Sequence, residues 1–148
     1  MVLFANVDFS RIGPGSGAKA GRLLEDDIRA GATGLKVFKD LGLHAHKNDG
    51  TRLKVDDPEL DPIWETCARL NVPVLIHTAD PQMFFEPLDY NNERWLELAL
   101  HPGRRYQDRS KFPSFEELIA ERDRMFARHP NTRFILAHFG WHATTWRV

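Results

Sequence analysis

Short, wholly apolar runs alternate along the chain with longer stretches in which apolar residues recur every three or four positions. The runs lie in residues 2–9, in Gly34-Leu-Lys-Val-Phe38, in Val74-Leu-Ile76 and in residues 133–138. A short unbroken apolar run is the pattern of a parallel strand covered on both faces, whereas a half-exposed strand would alternate. The stretches between them predict three helices. The first spans residues 18–30, with Leu23, Leu24 and Ile28 turned inward and Gly31 as its stop. The second opens at Asp57-Pro58, an aspartate N-cap followed by proline at the first helical position. It buries Ile63, Trp64, Cys67 and Ala68 before Asn71 closes it. The third begins at the capping box Ser114-Phe-Glu-Glu117 and carries Phe115, Leu118, Ile119, Met125 and Phe126 on one face, ending at His129. Four strands joined by three crossovers predict an α/β fold with a parallel sheet.

Two connections are longer than this alternation needs. Residues 40–56 surround Asn48-Asp49-Gly50, a hairpin signal, and predict a small excursion above the sheet. Residues 81–106 are aromatic and proline-bearing, with a short helix expected at 92–100; long loops of this kind frequently carry binding function. Met83, Phe84, Phe85 and Tyr90 would either wall a substrate pocket or bury the loop against its own scaffold, the commoner role for any one of them. The glycine cluster Arg11-Ile-Gly-Pro-Gly-Ser-Gly17 has neither the P-loop order nor the dinucleotide spacing and reads as a plain loop.

Composition narrows the function classes. At 148 residues the chain fits one domain, large enough to bury roughly 70% of its unfolded surface. Hydrophobic residues make up 42% and charged residues 28%, with a formal net charge of -1 and no basic stripe. A nucleic-acid partner therefore has no electrostatic support. No apolar run approaches the ~20 residues of a membrane span, and the opening residues lack the basic and apolar regions of a signal peptide. Cys67, the single cysteine, cannot form an internal disulfide, is compatible with a reducing cytoplasm and is expected to pack within its helix. The chain enters a strand at once and stops shortly after His138 without a closing helix, as expected of a portion of something larger.

Candidate chemistry gathers at strand ends. His77 and His138 each follow a buried run, so a parallel sheet would bring both to its carboxyl edge, where α/β enzymes keep their sites. Imidazole serves there as a ligand to zinc, manganese or iron, or as an acid–base group near neutral pH. Lys36 interrupts an apolar strand. Either its stem lies along the sheet with the ammonium in water, or the amine reaches into a site at the strand's carboxyl end. His44-Ala-His46 resembles a chelating pair, since period-two spacing on a strand puts both rings on one face. It lies in a polar hairpin instead of at the end of a buried strand, and a metal role is the lesser expectation.

Four segments taken together resemble the amidohydrolase superfamily: Gly34-Leu-Lys-Val-Phe-Lys-Asp-Leu-Gly-Leu43, Val55-Asp-Asp-Pro58, Val74-Leu-Ile-His-Thr-Ala-Asp-Pro81 and Ile135-Leu-Ala-His-Phe-Gly-Trp141. The nearer likeness is to its amidohydrolase-related branch of metal-dependent hydrolases and decarboxylases. The resemblance implies a partial (β/α)8 TIM barrel. Residues 1–148 would form a single partial domain supplying about four parallel strands with crossover helices, the third to the sixth. It implies a divalent metal, zinc first, with manganese or iron as alternatives. It makes His77 a metal ligand, and His138 a catalytic residue that is a second ligand or orients water. Lys36 would be a carboxylated lysine or a lysine near a small-molecule substrate. The family's His-x-His from the first strand and its aspartate from the eighth have no counterpart here; Asp8, Asp40 and Asp80 stand elsewhere.

The expected function is a fragment of a metal-dependent hydrolase, acting on C–N or C–O bonds through metal-activated water and inactive alone. Decarboxylation is the nearest variant. The rival is a non-catalytic, open α/β binding module with structural histidines. Open sheet edges predict self-association.

Overall fold

Residues 2–145 are described by a computed structural model; Met1 and residues 146–148, on which part of the expectation for the chain ends rests, lie outside the described residues. Four strands, β1 (Ala5–Asn6), β2 (Leu35–Val37), β3 (Val74–Ile76) and β4 (Phe134–Leu136), pair in parallel in the order β1-β2-β3-β4. Helices α1 (Ser16–Arg29), α2 (Asp61–Arg69) and α4 (Phe115–Arg128) make the crossovers, and α3 (Trp95–Leu100) lies within the long third connection. The sheet does not close on itself, so the architecture is an open α/β segment of a barrel. Among the described residues no helix is long and apolar enough to cross a membrane.

Register sorts the strand residues into two faces. Ala5, Leu35, Val74 and Phe134 are aligned in one row, and Val37, Ile76 and Leu136 in another. Phe134 packs against Trp64 of α2 and Phe126 of α4, with ring centroids 6.1 and 4.4 Å apart, so these rows face the helices. The row between them, Asn6, Lys36, Leu75 and Ile135, points the other way. The first apolar run keeps only two paired residues, because β1 has a neighbour on one side alone.

Helix boundaries follow local chemistry. Asp57 accepts a hydrogen bond from Glu59 N at 3.0 Å and caps a 3₁₀ turn, Pro58–Leu60, from which α2 continues; the predicted helix thus begins as a tighter turn. Asn71, at φ 54°, ends it. Ser114 Oγ accepts from Glu117 N at 2.9 Å, as the capping box requires. α1 begins two residues earlier than expected. A Cβ on Gly17 would lie 1.7 Å from Glu59 O, and one on Gly21 3.0 Å from Thr66 Oγ1. The glycines therefore let α1 approach the segment leading into α2. Gly17 N also donates to the Glu59 carboxylate at 3.1 Å, which occupies the helix N-terminus where a phosphate would otherwise sit.

Residues 40–56 form the expected excursion, with Lys47 N donating to Thr51 O at 2.8 Å and Leu53 N to Ala45 O at 2.9 Å. Its anchor is a side chain the hydrophobic pattern does not reveal. Glu121 of α4, fully buried, accepts from Arg52 Nη1 and Nη2 at 3.0 and 2.6 Å and from Val55 N at 3.1 Å. In the long connection, Phe84, Leu98 and Tyr106 are buried and Phe85 lies 5.2 Å from the Tyr106 ring, so most of the aromatic segment packs on its own scaffold. Tyr90 is 90% exposed.

Candidate functional site

His77 continues the alternation of β3 and so leaves the sheet on the face opposite the helices. Its backbone N–H donates to Val37 O at 3.0 Å, keeping it in register with the end of β2. Its ring meets Phe38 at 5.9 Å, edge to face, and His138 at 4.7 Å. The two strand-end histidines, distant in sequence, therefore share one rim of the sheet.

His138 reaches this position by unusual backbone. Residues His138, Phe139, Gly140 and Trp141 form a left-handed turn, with φ of 54°, 53°, 61° and 64°. Each of the three side-chain-bearing residues pays about 1–2 kcal/mol for this region, so the turn needs external support. Two hydrogen bonds provide it. Trp141 Nε1 donates to Thr78 O at 2.7 Å, and the buried Arg122 donates through Nη1 to Gly140 O at 2.7 Å. The Trp141 indole stacks on the His138 imidazole at 4.9 Å and 24°.

Electrostatics follow from this crowding. Burial first, then the His138 and Lys36 charges, depress the His77 pKa from 6.5 to about 4. Its Nε2 is buried and has no hydrogen-bond partner. A neutral imidazole with an unsatisfied buried nitrogen is suited to a ligand or a proton acceptor and poorly suited to carrying charge. Lys36 lies on the same face, half-buried, its Nζ donating to Val37 O at 2.7 Å, and burial lowers its pKa. Asp80 is engaged elsewhere. Both its oxygens accept from Lys39 Nζ at 2.7 Å and one from Tyr106 OH at 2.9 Å, tying two strand ends to the long connection.

The His44/His46 pair is not on a strand. His44 sits in a turn, its N–H donating to Asp40 O at 2.8 Å, and its ring packs against Tyr106 and Phe112 at 5.6 and 5.8 Å. His46 Nδ1 lies 2.7 Å from His44 O. Both line a cleft of about 680 Å³ beyond β1 and β2, together with Asp8, Phe38 and Asp40. Cys67 is fully buried and burial raises its thiol to about 12, so it packs as predicted.

The residues at the rim suit a divalent metal in kind, since imidazole nitrogen binds zinc, manganese and iron and His77 Nε2 is unbonded. They do not suit it in number: among the described residues no group of three His, Cys, Asp or Glu gathers around one point.

A parallel α/β sheet with polar groups released at one edge defines the class to which barrel enzymes belong. The amidohydrolase family model matches residues 12–148, and the chain belongs to that family. Among solved structures it is similar to an amidohydrolase from Mycobacterium avium subsp. paratuberculosis K-10, with TM-score 0.54 and 17% identity over 91% of this chain and 32% of that one. It is also similar to 2,6-dihydroxybenzoate decarboxylase from Rhizobium, with TM-score 0.55 and 23% identity over 94% of this chain and 39% of that one. A 2,6-dihydroxybenzoate decarboxylase in complex with 2,6-dihydroxybenzoate gives TM-score 0.54 at 23% identity. At these identities the likeness shows the fold. The chain spans 32% and 39% of the length of the first two neighbours.

Proposed function

We propose that this chain is a portion of a metal-dependent hydrolase, a single partial domain that supplies one side of its active site. The observation that carries this is the buried, unpartnered Nε2 of His77 on a ring 4.7 Å from that of His138. His77 holds the metal, and His138 adds a second nitrogen or orients water. The remaining ligands come from strands outside these four, in keeping with the share of the neighbours that the chain spans. A bound divalent cation, zinc before manganese or iron, supplies Lewis acidity for hydrolysis of a C–N or C–O bond. The chain's own groups bind and orient. Burial holds His77 neutral, the half-buried amine of Lys36 faces a carboxylate-bearing small molecule, and Phe38 with the neighbouring cleft offers an apolar wall. Decarboxylation is the nearest alternative chemistry, since one structural neighbour is a decarboxylase seen with an aromatic carboxylate. Two imidazoles do not make a full metal site, so the chain alone is expected to be inactive. A lone buried thiol accords with a cytoplasmic setting, and the open sheet edges with self-association.

Zinc titration of the purified, metal-stripped chain tests this reading. Zinc should bind weakly, since only part of the ligand set is present, with affinity falling about tenfold in His77→Ala. Absence of zinc binding, or binding indifferent to His77, would favour a non-catalytic α/β module.

A further inference from the structure

We infer that Arg122 is a positioning residue for His138, acting through the carbonyl of Gly140; the inference rests on the reading of His77 and His138 as one site. Arg122 lies on α4, behind the sheet edge, and is 1% exposed. A guanidinium is seldom buried unless its donors are satisfied by specific acceptors. Here Nε and Nη2 donate to Asp123 Oδ1 at 2.9 and 2.7 Å, and Nη1 donates to Gly140 O at 2.7 Å. The face of the group lies 5.6 Å from the Phe126 ring, which fixes its plane. Asp123 and Phe126 belong to the same helix, so α4 orients the guanidinium, and among the described residues its bond to another element goes to the left-handed turn.

That bond falls on a turn whose backbone is itself unfavourable and depends on ties to its surroundings. Residues 138–141 have positive φ throughout, and a chain segment in that region returns to commoner conformations when released. The second tie, Trp141 Nε1 to Thr78 O, holds the far end of the turn. Arg122 and Thr78 thus both hold the turn that carries the His138 ring to 4.7 Å from His77. Gly140 is matched to this contact: a Cβ there would lie 2.6 Å from Leu136 Cδ2 and 3.1 Å from Arg122 Nη1. The requirement for glycine comes first from φ and from Leu136, with Arg122 as a further tight neighbour.

The test uses the whole chain, metal-free, and reads the geometry directly by NMR. The wild type should show a nuclear Overhauser contact between the His77 and His138 rings and an upfield ring-current shift of His138 from the stacked Trp141. Arg122→Met, which keeps the stem and removes the donors, should lose both while the signals of β1 to β3 stay in place. Gly140→Ala, which displaces the turn and leaves Arg122 intact, should do the same and serves if Arg122→Met does not fold. Zinc affinity adds a second readout. Arg122→Met should weaken it about tenfold, and adding Arg122→Met to His138→Ala should weaken it no further. If the ring contact and shift survive in a folded Arg122→Met or Gly140→Ala protein, or the two substitutions weaken zinc independently, the inference is overturned. If the wild type binds no zinc yet the ring contact depends on Arg122, the positioning role stands and the metal reading fails.

Discussion

Burial, together with the neighbouring His138, Lys36 and Lys39, brings His77 to a pKa of about 4, and the direction of that shift has a thermodynamic consequence. In the unfolded chain the imidazole takes up a proton near its ordinary 6.5; in the folded chain it does so only near 4. Between these values the unfolded state binds more protons, so metal-free protein loses stability as pH falls from about 6.5 to about 4 and the His77 contribution is level below that. An NMR titration should place the His77 midpoint near 4, and His77→Gln should flatten the stability profile across the same window. A midpoint near 6.5 would show that the ring is solvated and open to the outside. His77 was legible in the sequence because it follows an apolar run and a period-two strand leaves little freedom about where the next side chain goes; His138 was legible only as a strand-end group, since the left-handed turn that carries its ring to His77 has no sequence pattern of its own. The role of Arg122 was not legible. A charged residue beside Glu121 and Asp123 reads as the solvated face of an amphipathic helix, and its acceptor is a backbone carbonyl that no sequence pattern marks.

The same limit governs the elements. Crossover helices, their caps and the hairpin could be read from local signals, because the N-cap, capping-box and turn residues act within four positions of themselves. Strand lengths could be read only in part: β3 matches its apolar run, whereas β1, β2 and β4 are shorter than theirs, because pairing depends on what the neighbouring strand offers. Least visible was the tie between α4 and the excursion at 40–56, where Glu121 and Arg52 are 69 residues apart. Glu121 is fully buried and meets three donors, so removing it leaves the Val55 N–H without its acceptor and the half-buried Arg52 guanidinium with only Gly42 O and Glu117. Glu121→Ala should cost about 3–5 kcal/mol, measured by urea unfolding. Replacing both partners by methionine should recover most of that loss, since an apolar pair leaves no buried charge unpaired. Equal destabilisation by the single and the double substitution would mean that packing, and not the ion pair, holds the excursion down.

At the scale of the molecule, the features that distinguish this chain from a closed barrel are its two free edges and its uncovered face. β1 and β4 each pair on one side only, and their outer N–H and C=O groups face solvent or a partner. Exposed apolar side chains gather at the same borders: Val2 at 74% and Leu23 at 57% near β1, Ile135 at 49% and Phe139 at 88% near β4. In a closed barrel such positions would be covered by the flanking strands; exposed, they predict association. Apparent mass by light scattering should therefore rise with protein concentration. Ile135→Lys places a charge on the edge strand without touching the helix-facing core, so it should shift the distribution toward monomer while leaving the unfolding midpoint nearly unchanged. A constant monomeric mass over the whole range would mean that the open edges are protected by their own side chains. An unchanged distribution in Ile135→Lys would instead move the contact to the β1 border, where Leu23→Glu is the corresponding substitution.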